Sequence, residues 1–315
     1  MIVTLTPNPS LDRTISVAQL RVGEVHRAGE LRVDAGGKGV NVSRALAANG
    51  MATLAVLPAS GAPAVEFSAR LDDAGVAHQY IDLEGAVRTN ITLVEDDGTT
   101  TKINEPGRLS DATDATAMLD AVERYLDGAS WVVGCGSLPP GIDGSIYVEL
   151  IARARARGVS VAIDTSGAAF AQVVAAGPDL IKPNLEELEE LVGRPLVTVA
   201  AVLEAARGIV ASGVGTVVVS LGEYGALAVD QETAVHAIAV VSKPLSTVGA
   251  GDCLLAGWLA AVESGDALAD AVVAGVRWGA AAVSLPGSRV PVPADLALPQ
   301  VRLSQTVPLD MIVSP

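Results

Sequence analysis

The chain has 315 residues with 36 acidic and 21 basic side chains, a formal net charge of −15 that argues against nucleic acid as a partner. Half the residues are hydrophobic, enough to fill one large α/β domain or two smaller ones, and aromatics are only 3%, so the core must be Ala, Val and Leu packing. No apolar run reaches the roughly 18 residues of a membrane span. The amino terminus enters a strand-like Ile2-Val-Thr-Leu5 with no basic stretch, and the only cysteines are Cys135 and Cys253. A chain without signal peptide, membrane partner or disulfide framework, in a reduced cytoplasm, is therefore expected.

In chain order, short β-branched runs alternate with Ala- and Leu-rich stretches. The patterning predicts a strand at 2–6, a helix at 40–49, a strand at 53–57 and a helix at 65–73. Further on it predicts helix 112–126, strand 131–134, helix 145–156, strand 160–164 and strand 179–182. Helices 185–191 and 199–211, strand 216–220 and helices 251–263 and 268–284 complete the series. Continuous apolar strands separated by helices imply a mostly parallel sheet covered on both faces, which binds ligands at the carboxyl ends of its strands. Segments 14–32 and 88–103 break the alternation, with strand patterning but no helix and a good hairpin turn at Asp96-Asp-Gly98. They form either an edge hairpin of the main sheet or a small sheet of their own. No element is assigned to the Pro-rich tail after Pro286.

Two glycine-rich segments, about two hundred residues apart, both run from small residues into a helix. In Ser246-Thr-Val-Gly-Ala-Gly-Asp252 bare backbone amides meet a helix start, where unpaired N–H groups and the dipole attract anions. A carboxylate at that mouth suggests phosphoryl transfer to a hydroxyl with Asp252 as the base; the alternative is an Asp capping the helix. The second segment, Asp34-Ala-Gly-Gly-Lys-Gly-Val-Asn41, places Lys38 and Asn41 in small, apolar surroundings. Other nucleotide signatures are missing: Gly37-Lys38 runs on to Gly39 rather than Ser or Thr, and Gly134-Cys-Gly136 runs on to Pro139. A P-loop NTPase and a dinucleotide-binding oxidoreductase are thereby disfavoured, and three scattered histidines make a zinc site improbable.

These segments resemble the signature motifs of the ribokinase-like sugar kinases, the PfkB family. The resemblance also takes in Thr4-Leu-Thr-Pro-Asn-Pro-Ser-Leu-Asp12, Thr101-Lys-Ile-Asn-Glu-Pro-Gly107, Gly136-Ser-Leu-Pro-Pro-Gly141, Lys182-Pro-Asn-Leu-Glu-Glu187 and Ser220-Leu-Gly-Glu-Tyr-Gly-Ala226. It points to the phosphosugar branch, and within it the chain is most similar to bacterial 1-phosphofructokinases. The resemblance implies a three-layer α/β sandwich with a mostly parallel sheet and a small β lid. Residues 1–9, 33–87 and 109–315 would form the main domain, and 10–32 and 88–108 the lid, through which two copies often dimerise.

The activity so implied is ATP- and Mg2+-dependent phosphorylation of fructose 1-phosphate at C6. Tagatose 6-phosphate or fructose 6-phosphate as acceptor, or a non-catalytic sugar or nucleotide sensor on the same fold, are the alternatives. Asp252 would be the base and the amides of Gly249, Ala250, Gly251 and Asp252 the anion hole. Asp12, Gly37, Asn41 and Ser137 would line the sugar, and Lys38, Arg88 and Lys102 would hold its phosphate, with Arg88 best suited by its two-pronged guanidinium. Lys182, Asn184, Ser220, Gly222, Gly225 and Gly279 would face the nucleotide. Asn184 and Glu187 would organise magnesium through water, the bland reading being a helix N-cap with an acid three residues on. Cys253, beside the base, is a candidate reactive thiol; Arg108 either adds a phosphate contact or points to solvent.

Overall fold

The computed structural model describes residues 1–85 and 87–313. The chain opens with β1 (Ile2–Leu5), β2 (Ser10–Val17), β3 (Leu31–Gly36), α1 (Lys38–Ala48), β4 (Thr53–Pro58), α2 (Gly61–Asp73) and β5 (His78–Ile81). It continues through β6 (Arg88–Glu95), β7 (Thr100–Asn104), α3 (Ala112–Glu123), β8 (Trp131–Cys135), α4 (Ser145–Arg155), β9 (Ser160–Asp164) and α5 (Ala168–Ala176). Next come β10 (Leu180–Ile181), α6 (Leu185–Val192), α7 (Val199–Ala211), β11 (Thr216–Ser220), β12 (Ala226–Val229) and β13 (Ala234–Ala239). Helices α8 (Ala250–Glu263), α9 (Leu268–Val283) and α10 (Pro293–Leu296) precede the last strand, β14 (Val301–Leu303).

Ten strands form one sheet in the order β14-β13-β12-β11-β10-β9-β8-β1-β4-β5. From β5 to β11 all neighbours are parallel, and the last three strands extend the sheet antiparallel. The strands alternate their side chains between two apolar layers, as the period of two demands. Val3, Leu5, Val132, Val161 and Val217 pack with α3, α4, α5, α6 and α7, whereas Ile2, Trp131, Val133, Ala162 and Val218 pack with α1, α8 and α9. The core is aliphatic; Trp131 and Trp258 meet edge-on across the second layer, ring centres 5.8 Å apart. Among the described residues no helix is long and apolar enough to cross a membrane.

The segments that broke the alternation form a separate four-stranded sheet, β3-β2-β6-β7, rather than a hairpin on the main sheet's edge. Its two central strands, β2 and β6, run parallel, and the β6–β7 turn falls at Asp96-Asp97-Gly98, with Gly98 at φ +90°. The boundary expected between residues 32 and 33 falls inside β3. That strand runs on to Gly36 because its end must deliver the chain straight into α1 at Lys38, with Gly37 at φ +113° as the hinge. Strands β5, β12, β13 and β14 and helix α5 were not expected. The first four are short and lie at the two ends of the large sheet, where pairing partners decide the conformation more than the local pattern does.

Candidate active site

Side chains from many parts of the chain converge at the carboxyl ends of the parallel strands. Helix α8 begins at Gly249, in the left-handed region at φ +76°, and Asp252 lies in its first turn, 7% exposed. Among the described residues the Asp252 carboxylate has one hydrogen-bond partner, and it is no backbone amide: its Oδ2 accepts from Asn41 Nδ2 at 2.8 Å. Arg44 Nη1 in turn donates to Asn41 Oδ1 at 3.2 Å and to the Ala35 carbonyl, so the amide is fixed with its NH2 toward the carboxylate. Lys38, Asn41 and Arg44 share one face of α1 by their spacing of three. Burial, reinforced by the charge of Asp164, raises the Asp252 carboxyl to a pKa of about 6, against the opposing pull of Lys38, Asn41 and Lys182. Among the described residues no carbonyl accepts from the amides of Gly249, Gly251 or Asp252, whereas the Ala250 amide reaches the Thr247 carbonyl at 3.3 Å. The turn therefore offers an anion three free amides rather than the four expected.

Beneath this turn lies a buried charge cluster that the sequence reading did not contain. Asp164, fully buried at the end of β9, is 2.8 Å from Lys38 Nζ through Oδ1 and 3.2 Å from Lys182 Nζ through Oδ2. Burial alone would raise the Asp164 carboxyl, but Lys182 and Lys38 outweigh it and hold it below the usual range. Desolvation likewise works against charge on Lys38, yet Asp164, Glu187 and Asp252 hold its pKa above the ordinary value. Lys182 Nζ is also close to Gly251, where an added Cβ would stand 3.3 Å from it. Two ammonium groups thus lie near the mouth of α8 with Asp164 between them. An acid ending an apolar strand is the only signal that could have singled out Asp164.

Lys38 accordingly belongs with the carboxylates and not with Arg88, as its place in a phosphate grip had implied. Its nearest acids are Asp164 and, at 3.4 Å, Glu187 Oε1. Asn184 and Glu187 form the reciprocal cap of α6: Asn184 Oδ1 accepts from the Glu187 amide at 2.7 Å, and Glu187 Oε2 from the Asn184 amide at 2.9 Å. This leaves Glu187 Oε1 as the free edge of the pair, facing Lys38. Among the described residues no group of three or more His, Cys, Asp or Glu could hold a metal ion directly.

A second group of polar side chains comes from the small sheet. Asp12 Oδ1 accepts from Ser10 Oγ at 2.7 Å and Asn90 Nδ2 at 2.9 Å, and its carboxyl is raised by burial. Gly36 has no side chain because the Asp12 carboxylate fills the place of its Cβ. Arg88 sits two residues before Asn90 on β6 and so on the same face; its Nη1 donates to the Glu105 carbonyl at 2.7 Å and its Nη2 to Ser137 Oγ at 3.4 Å. The Gly136-Ser137 turn is anchored by bonds from Tyr147 Oη and Thr165 Oγ1 to the Gly136 carbonyl. Lys102 is on that same face, opposite Thr92, but at the outermost strand, exposed, and without an ion pair among the described residues. Asn90 and Arg44 complete the constellation and were not expected; both lie on periodic faces already holding a candidate.

The pfkB family carbohydrate kinase model matches residues 6–295. The chain belongs to the pfkB family of carbohydrate kinases. It is 39% identical over 300 residues to a 1-phosphofructokinase of Rhodobacter capsulatus, covering 94% of each chain. It is 36% identical to a 1-phosphofructokinase of Haloferax volcanii, covering 92% of this chain and 93% of that one. The fold superposes with a TM-score of 0.88 on phosphofructokinase-2 from Escherichia coli in complex with substrates and products, at 33% identity over 94% of this chain and 97% of the other.

In this pfkB kinase two expected ligand contacts and one expected reactive thiol give way to packing. Gly279 is buried against α8, where an added Cβ would stand 3.3 Å from the Ala250 carbonyl and 3.4 Å from Leu254: it is an interhelical contact. Gly225 has no side chain because the Ala237 carbonyl of β13 occupies the space. Cys253 is 1% exposed and its thiol is pushed up by burial and by Asp252, so the helix start does not make it reactive. Ser220 and Gly222 do lie at the carboxyl end of β11, beside Asn184, and an added Cβ on Gly222 would meet open space.

Proposed function

We propose that this chain is an ATP-dependent kinase that phosphorylates fructose 1-phosphate at C6, giving fructose 1,6-bisphosphate. The observation that carries the reading is Asp252: a buried carboxylate, unused as a cap, held by Asn41 beside three unpaired amides. The 1-phosphofructokinases of Rhodobacter capsulatus and Haloferax volcanii supply the substrate.

The sugar lies between the small sheet and the strand ends, with Asp12 and Asn90 reading its hydroxyls and Arg88 and Ser137 holding the phosphate on C1. The C6 hydroxyl then faces Asp252, whose carboxylate takes the proton as the oxygen attacks the γ-phosphorus of ATP and the bond from that phosphorus to the bridging oxygen breaks, releasing ADP. A base with a pKa near 6 is ionised at neutral pH and still basic enough to receive that proton. Charge on the transferred phosphoryl group meets the amides of Gly249, Gly251 and Asp252 and the ammonium groups of Lys38 and Lys182. Ser220, Gly222 and Asn184 border the nucleotide. Magnesium, which the family implies, would neutralise phosphate charge. Glu187 would reach such an ion through water, since among the described residues no group of three or more His, Cys, Asp or Glu could hold it directly. The small sheet acts as a lid that excludes water when both substrates are bound. Exposed Val22 and Val25 near β2, and Leu31 and Ile103 on the edge strands, need cover, which a second copy supplies in a homodimer. The two buried free cysteines suit the reducing cytoplasm.

A coupled assay of ATP consumption with fructose 1-phosphate, fructose 6-phosphate and tagatose 6-phosphate tests the reading. Fructose 1-phosphate is expected to lead by at least about tenfold in kcat/KM, a difference of only about 1.4 kcal/mol. A lead for either 6-phosphate overturns the substrate and leaves the kinase standing. The fructose 6-phosphate arm has a concrete rival behind it, the similarly folded phosphofructokinase-2 of Escherichia coli in complex with that sugar, at TM-score 0.86.

A further inference from the structure

Two guanidinium groups border one cleft of about 300 Å3 where the small sheet meets the main domain. Arg88 reaches it from β6, and Arg108 from the turn after β7. That turn is held from both sides. Asn8 Nδ2 donates to the Pro106 carbonyl at 3.1 Å, Gly107 sits at φ +96° with the Asn8 amide in the place of its missing side chain, and the Ser110 amide donates to the Pro140 carbonyl at 2.8 Å. Arg108 is thus clamped between the loop after β1 and the loop after β8, the second of which carries Ser137 of the proposed phosphate grip.

Its bonding is incomplete. Arg108 Nη2 pairs with Asp114 Oδ2 at 3.0 Å, while Nη1 is buried and has no partner. Arg88 is in the same state, with Nε buried and unpartnered although both its Nη atoms are used. Desolvated donors without acceptors are costly, and two of them on cations around one cleft mark a place for an anion. Glu105, the acid in that lining, does not compete, because its Oε2 is turned onto the Thr89 amide at 2.8 Å.

We propose that Arg108 is a second phosphate-binding residue, which with Arg88 grips the non-reacting phosphate of the sugar. The proposal rests on the reading of the chain as a phosphosugar kinase. A phosphate monoester is close to a dianion at neutral pH and has three terminal oxygens, so two guanidinium forks match both its charge and its acceptor count. Asp114 neutralises only the Nη2 edge of the fork, and the guanidinium turns its free Nη1 onto the phosphate when the sugar binds. A sugar without phosphate leaves both forks unpaired, so the pair selects phosphosugars over free sugars.

The test compares Arg108→Gln with Asp114→Asn, which breaks the same ion pair and keeps the cation. Arg108→Gln is expected to raise KM for fructose 1-phosphate about tenfold or more, the factor of one charge-assisted hydrogen bond, and to leave kcat and KM for ATP within about twofold. Inorganic phosphate, as a competitive inhibitor against the sugar, should weaken by a similar factor, and Arg108→Lys should fall between wild type and Gln. Asp114→Asn should leave KM within about threefold. Equal losses in the Gln and Asn variants would show that the pair only steadies α3 and would overturn the proposal. An unchanged KM in Arg108→Gln, alongside a raised KM in Arg88→Ala, would overturn it as well. Should wild type prefer another phosphosugar, the same comparison is made on that sugar: the substrate reading then fails, and Arg108 is judged separately.

Discussion

At neutral pH the Asp252 carboxylate is ionised in a place that disfavours its charge, and Asp252→Asn removes that charge without changing shape. The side-chain oxygen of Asn can keep the 2.8 Å bond from Asn41, so the fold survives. Activity does not: loss of a general base is expected to lower kcat by about 10² to 10⁴-fold. Stability moves the other way. The carboxyl has a pKa of about 6 in the folded chain against an ordinary 3.8, so the native state binds its proton more tightly than the unfolded chain. The cost of ionisation, about 3 kcal/mol, is fully present above pH 6 and is lost as pH falls toward 4. Replacing Asp with neutral Asn relieves it, raising Tm by roughly 4 °C for a chain of this size. Calorimetry of both proteins from pH 4 to 8, beside a coupled kinase assay, checks both halves. The variant should gain most at pH 7 to 8 and converge on wild type near pH 4. A variant that turns over near the wild-type rate would show Asp252 is not the base; one with lower Tm at pH 8 would show that its neighbours, not burial, dominate.

Asp164→Asn removes the negative neighbour that raises Asp252, so the acid limb of kcat/KM, expected near pH 6 in wild type, should move to lower pH. The same change leaves Lys38 and the 4% exposed Lys182 without their shared counter-charge and should cost about 3 kcal/mol or more in denaturant unfolding; an unmoved acid limb would uncouple the two carboxylates. Arg88→Ala should raise KM for the phosphosugar by roughly tenfold or more and change KM for ATP less, since the group is tied to Glu105 and Ser137 and not to the α8 turn; equal weakening toward both substrates would place it elsewhere. Light scattering should give a dimer at micromolar concentration, and Val25→Glu should shift it toward monomer; a wild-type monomer throughout removes the proposed contact.

The α/β architecture and the family were legible in the sequence because each rests on local signals. Runs such as Trp131–Cys135 and Thr216–Ser220 are apolar on both faces, which only a covered sheet strand requires. Small residues ahead of Asp252 and Lys38 mark helix starts through backbone freedom alone, and Gly249 and Gly37 hold φ +76° and +113° there. What a side chain does at such a place depends on what stands opposite, and that is a tertiary fact. Asn184 and Glu187 close a cap on each other, Gly225 and Gly279 yield to neighbouring backbone, and burial silences Cys253. Lys38 was counted with Arg88 because the resemblance puts both among the cations beside the lid that hold the sugar phosphate, yet the fold hands it to Asp164, 126 residues away in sequence. No spacing rule reaches that far: Asp164, Lys38, Lys182 and Asp252 share a site only because parallel strands end at one edge of the sheet. There burial makes each charge depend on the others, and the pKa of the candidate base is set by that company and by its own desolvation, not by its place in the chain.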